Sequence, residues 1–140
     1  MNYARIALSA IAATVAYYVF GSIGGALFAS YYSQYAAVFR PREMIVGYMP
    51  LGIAGTFIAA LAVAMIYAGA YRGKSGAIEG LRFGAVIGVF IVGAGVAHDF
   101  VILNIGLNLA LVEASGQFVG WLLAGVAIGL IYRPKPIESA

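Results

Sequence analysis

Residues 80–124 read GLRFGAVIGVFIVGAGVAHDFVILNIGLNLALVEASGQFVGWLLA, two long apolar runs divided only at Asn104-Ile105-Gly106-Leu107-Asn108. Each run has about 20 residues or more, the length a helix needs to cross the ~30 Å hydrocarbon core of a bilayer. The break between them is short enough to demand a tight reversal, so the stretch predicts an antiparallel pair of transmembrane helices. Gly80, Gly84 and Gly88 recur at every fourth residue. That spacing puts them on one helical stripe, where a neighbouring backbone can come close. Past Arg82, the ionisable residues of the stretch are His98, Asp99 and Glu113.

Outward from this pair the pattern repeats. Residues about 6–30 and 42–71 form two further apolar runs, so the expected fold is an all-α, integral membrane four-helix bundle. Its helices are placed at about 6–30, 42–71, 79–103 and 108–132, within a single transmembrane domain spanning 1–140. The first run exceeds the ~7–15 residues of a signal-peptide apolar region and ends in a poor cleavage sequence, Ala26-Leu27-Phe28-Ala29, so it is read as a helix that stays. Tyr31, Tyr32 and Tyr35 form an interfacial aromatic segment. Pro41 and Glu43 suit the first turn of the second helix, and Pro50 inside it should kink it. Arg72-Gly73-Lys74-Ser75-Gly76 reads as a polar, flexible turn and Lys135 to Ala140 as a frayed tail.

The composition supports the same class. The chain is 64% hydrophobic and 9% charged, against roughly 25% charged residues in an ordinary soluble domain. It has no cysteine, which excludes disulfides, thiolate metal sites and thiol chemistry. The net charge of +3 lies in loops and forms no basic stripe, so nucleic acid is not an expected partner; the lipid bilayer is. Arg5, Arg72, Lys74, Arg82, Arg133 and Lys135 fall on one side, and Arg40 and Arg42 on the other. By the positive-inside rule, both termini are expected in the cytoplasm, in the inner membrane if the source is bacterial.

The candidate site follows from helical arithmetic. At about 100° per residue His98 and Asp99 flank the glycine stripe, and Glu113 and Gln117 share a small-residue face of the fourth helix. In an antiparallel hairpin His98 and Glu113 lie at one depth, roughly 11 Å below the turn. Ionisable groups in a membrane helix face the bundle or a wet cavity and mark function by default. The expected cluster is therefore His98, Asp99 and Glu113, with Tyr48, Gln117 and Ser22 around it, holding a proton, cation or small polar ligand. The structural alternative is that these groups satisfy one another and fix the hairpin's register. Arg40 and Arg42 are a candidate anion or lipid head-group site, with ordinary interfacial arginines as the alternative.

A metal site is not expected, because one histidine and a few carboxylates lack a recognised ligand spacing. Trp121, Tyr17 and Tyr18 count to mid-membrane, where they either pack as core or line a site for a flat apolar ligand such as a quinone. The 19 glycines, including the Gly116/Gly120 and Gly125/Gly129 pairs, suit close helix packing within one chain or in a homo-oligomer. The function expected from these features is a non-enzymatic binding or transport component. The alternatives are a quinone- or lipid-linked membrane enzyme or electron-transfer accessory, and a purely structural subunit.

Overall fold

The computed structural model describes residues 2–71 and 76–132. Its elements are helices α1 (Tyr3–Leu27), α2 (Ala29–Ser33), α3 (Arg42–Ala70), α4 (Gly76–Ile91), a π-helical turn (Val92–Val96), α5 (Ala97–Ile102) and α6 (Leu107–Ile131). Because α4, the π-turn and α5 run on continuously, the chain has four helices long and apolar enough to cross a membrane, the architecture of a multi-pass membrane protein. Of the expected turn at Arg72 to Gly76, Gly76 instead opens α4, while residues 72–75 and the expected tail at Lys135 to Ala140 lie outside the described residues.

Local chemistry sets the helix starts. Asn2 caps α1, its side-chain carbonyl accepting from the Arg5 amide at 3.1 Å. Pro41 precedes α3 rather than entering it, and its carbonyl receives the amides of Met44 and Ile45 at 3.0 and 3.1 Å. Glu43 then lies in the first turn, where the helix dipole favours an acid. Pro50 is carried inside α3 without ending it.

The four spans are arranged as a curved row. α6 lies between α4 and α1, and α1 lies between α6 and α3. The row closes at the end that carries the chain termini. There Tyr67 of α3 packs edge-on against Phe83 of α4 at 5.4 Å, and Tyr71 against Tyr132 at 5.8 Å. The core sits in that half of the bundle, built from Ile6, Ala10 and Ala13 of α1, Ala60 and Ala64 of α3, and Ala124 and Ile128 of α6. Small residues dominate it because association inside lipid rests on close van der Waals contact, the apolar driving force being absent.

The α4–α6 contact is the tightest in the molecule. A Cβ added to Gly84 would stand 2.6 Å from the Trp121 carbonyl oxygen and 3.1 Å from the Gly125 Cα. Gly80 faces the Gly125 carbonyl oxygen, and Gly129 faces that of Gly76. The stripe read from the sequence is thus a seam in which two backbones touch.

The opposite end is open. Every residue from Arg42 to Gly55 is exposed, so the first half of α3 stands away from its neighbours. α2 and the chain after it fill part of this space with aromatic rings: Tyr32 meets Phe39 edge-on at 5.7 Å, and the Tyr31 and Tyr35 hydroxyls are 3.3 Å apart. That shared hydrogen bond, more than any burial, pushes the Tyr31 phenol up to about 12.

Candidate functional site

The open end leads into a groove between α1 and α6. Its volume is about 520 Å³, within the ~300–1,000 Å³ range of small-molecule sites. Three glycines of α1, Gly21, Gly24 and Gly25, and Gly116 of α6 line it, and a Cβ at any of these four would meet nothing within 4 Å. Here the glycines create width instead of contact.

The floor is a hydrogen-bonded pair. The Tyr17 hydroxyl donates to Gln117 Oε1 at 2.8 Å, and the Tyr17 ring rests on Trp121, centroids 5.8 Å apart. Gly120 makes this possible, since a Cβ there would stand 2.9 Å from the Tyr17 ring. Counted from Leu27 and from Leu107, Tyr17 and Gln117 are each about 15 Å below the open end, half the thickness of a bilayer core. Below them the interior is solid: Trp121, Ala124 and Ile128 are all buried.

Glu113 lies between floor and mouth, about 9 Å into α6. It is half-buried and lines both the groove and a second cavity of about 740 Å³ at the mouth, which the exposed Arg40 and Arg42 also line. Tyr32 borders both cavities. Burial first, and then the charge and hydrogen bonding of the Glu113 carboxylate, raise the Tyr32 phenol above its ordinary value. No Lys or Arg of the described residues forms an ion pair with Glu113. The Arg40 guanidinium lies over the Tyr48 ring, 4.7 Å from its centroid.

The residues expected to cluster therefore divide into two groups. Glu113 and Gln117 are together on one face of α6, with Arg40 and Arg42 at the mouth and Tyr48 under Arg40. His98 and Asp99 do not join them: both are exposed on α5, and neither side chain has a hydrogen bond or ion pair among the described residues. Ser22 and Tyr48 are exposed and line neither cavity, so neither joins the cluster expected of them.

The π-turn is the physical reason. A wheel drawn at 3.6 residues per turn holds only while the helix stays α, and a π-turn inserts one residue, rotating all that follows by roughly 100°. Gly84 and Gly88, before it, are buried; Ile102, which an unbroken 3.6-residue wheel would carry onto the same stripe 18 residues from Gly84, is exposed beyond it. Equal depth in a hairpin then fixes the level of Glu113 but not its direction, and it points to α1 instead of α5.

No group of three His, Asp or Glu side chains among the described residues is placed to hold a metal ion. The features missed by sequence reasoning were Tyr32 and the breadth of Gly21, Gly24, Gly25 and Gly116. Nothing in the sequence separates a glycine that packs from one that leaves room. No known family, curated protein or solved structure matches the chain.

Proposed function

We propose that the protein is a non-enzymatic membrane component that binds one amphiphilic molecule, its apolar part in the glycine-walled groove and its polar end at Glu113, Tyr32, Arg40 and Arg42. The observation that carries this reading is the groove itself: about 520 Å³, open at one end, closed at mid-depth by the Tyr17–Gln117 bond and empty where four glycines face it. Space of this kind next to lipid fills with something, and a largely apolar lining with a few convergent polar groups at one end selects an amphiphile. By the asymmetry of Lys and Arg, the groove opens toward the outer leaflet and the termini face the cytoplasm.

A binding role fits better than transport by a single chain. Solute crossing the bundle would have to pass the buried layer of Ala13, Ala64, Ala124 and Ile128 beneath the floor. A lipid-soluble quinone is a second reading, favoured by the aromatic rings of Tyr17, Phe20 and Phe28 along the groove.

The test is mass spectrometry of small molecules that co-purify with the protein in mild detergent, with Gly25→Leu as the control. A leucine there enters the groove without meeting protein atoms at its Cβ. The wild type should carry about one amphiphile per chain and Gly25→Leu much less. A phospholipid would favour the first reading and a quinone the second; equal retention by both proteins would remove the groove from the account.

A further inference from the structure

The mouth of the groove presents two signs of charge at one place. Arg40 and Arg42 line the mouth cavity together with Glu113, and this carboxylate also faces the apolar groove behind. Opposite charges sharing a cavity ordinarily meet. Here Glu113 forms no ion pair with either arginine, while Arg40 is engaged with the Tyr48 ring, 4.7 Å from its centroid.

A half-buried carboxylate in low-dielectric surroundings calls for a cationic or hydrogen-donating partner, and the polar neighbour it shares both cavities with is the Tyr32 phenol. Guanidinium groups at an interface suit an anion with several oxygens, a phosphate above all. A ligand with phosphate alone would satisfy the arginines and bring a second negative charge toward Glu113. A ligand with an amine alone would leave the arginines unmatched. One short head group bearing both would meet each charge.

Resting on the amphiphile-binding reading above, we infer that the groove selects a phospholipid with a zwitterionic amino-phosphate head group, its phosphate between Arg40 and Arg42 and its primary amine at Glu113. The apolar chain then runs past Gly21, Gly25 and Gly116 toward Tyr17. The arginines set affinity for phosphate, and Glu113 sets the choice among phospholipids.

The experiment is native mass spectrometry of the whole chain released from nanodiscs containing equal amounts of synthetic phosphatidylethanolamine and phosphatidylglycerol with identical acyl chains. The wild type should retain phosphatidylethanolamine about tenfold over phosphatidylglycerol, the scale of one charge-assisted hydrogen bond gained against one like-charge contact. Glu113→Gln should lower that ratio to near one while total bound lipid changes little. Arg40→Gln with Arg42→Gln should lower retention of both lipids. A wild-type preference for phosphatidylglycerol, an unchanged preference in Glu113→Gln, or a second copy of the chain in place of lipid would each overturn the inference. If Gly25→Leu binds as much lipid as the wild type, the groove reading fails instead, so the two failures are separable.

Discussion

Two faces of α6 are rich in glycine and do opposite things. Gly125 and Gly129 press against Gly80 and Gly84 of α4 so closely that neither side has room for a methyl group. Gly116, on the face turned to α1, looks across at Gly21, Gly24 and Gly25, and a methyl group on any of them would touch nothing. The first face binds two helices by bringing backbones into contact, the available means where the solvent is as apolar as the side chains. The second keeps two helices apart around a space. Glycine in a membrane helix thus marks a place where volume is withheld, and only the neighbouring helix decides whether backbone or ligand occupies it.

Substitution should separate the faces most sharply at the seam. Gly125→Ala places its methyl carbon 2.6 Å from the Gly84 Cα and 2.8 Å from its nitrogen, both backbone atoms that cannot move aside. The expected loss exceeds about 3 kcal/mol, or assembly fails altogether, as read from thermal unfolding of the detergent-solubilised protein by circular dichroism. A variant as stable as the wild type would mean that the seam is looser than described.

At the groove floor, Tyr17→Phe removes the hydroxyl that donates to Gln117 and keeps the ring on Trp121. The expected cost is about 1 kcal/mol by the same unfolding measurement, a typical value for one hydrogen bond. The groove wall should respond with the opposite sign. Gly24→Ala adds a methyl group to open space and improves helix propensity, so stability should hold or rise by about 0.5–1 kcal/mol. A loss as large as that of Gly125→Ala would erase the distinction between the faces.

The smallest effect concerns the mouth. Tyr32 has a raised phenol, chiefly from burial and secondarily from Glu113. A phenol whose folded-state value lies above its unfolded value of 10.0 contributes stability that is full below that pH and is lost as pH rises through the folded value. Glu113→Gln removes the carboxylate's charge and leaves the burial, so the Tyr32 midpoint should fall without reaching 10.0. Tyrosinate absorbance, taken as the difference between each protein and its Tyr32→Phe counterpart, isolates this one group among 10 tyrosines. An unmoved midpoint would place Glu113 away from Tyr32.

The four spans were legible in the sequence because length and apolarity alone set them, and residues 80–124 display both without ambiguity. The tight seam was legible for a related reason: Gly80, Gly84 and Gly88 lie before the π-turn, where the 3.6-residue period still holds. His98 and Asp99 lie beyond it, and a one-residue insertion in the hydrogen-bond ladder left no mark in residues 92–96 except two glycines, Gly93 and Gly95. Glu113 and Gln117 share one face of α6, as a 3.6-residue period requires, but what they meet depends on which helix stands beside α6. These helices are apolar on nearly every side, so hydrophobic pattern does not encode neighbour order, and the groove between α1 and α6 becomes visible only once α1 is known to be there.

Trp121 offers the most direct test, as the chain's single tryptophan and a support for the ring that closes the groove. Phospholipids brominated at the acyl-chain terminus quench indole fluorescence only at short range. In nanodiscs containing them, an occupied groove brings the bromine to Tyr17, one ring away from Trp121. The wild type should be quenched strongly and Gly25→Leu weakly, with equal helicity in the two proteins. Equal quenching in both would contradict the claim that this face of α6 is shaped to hold a ligand.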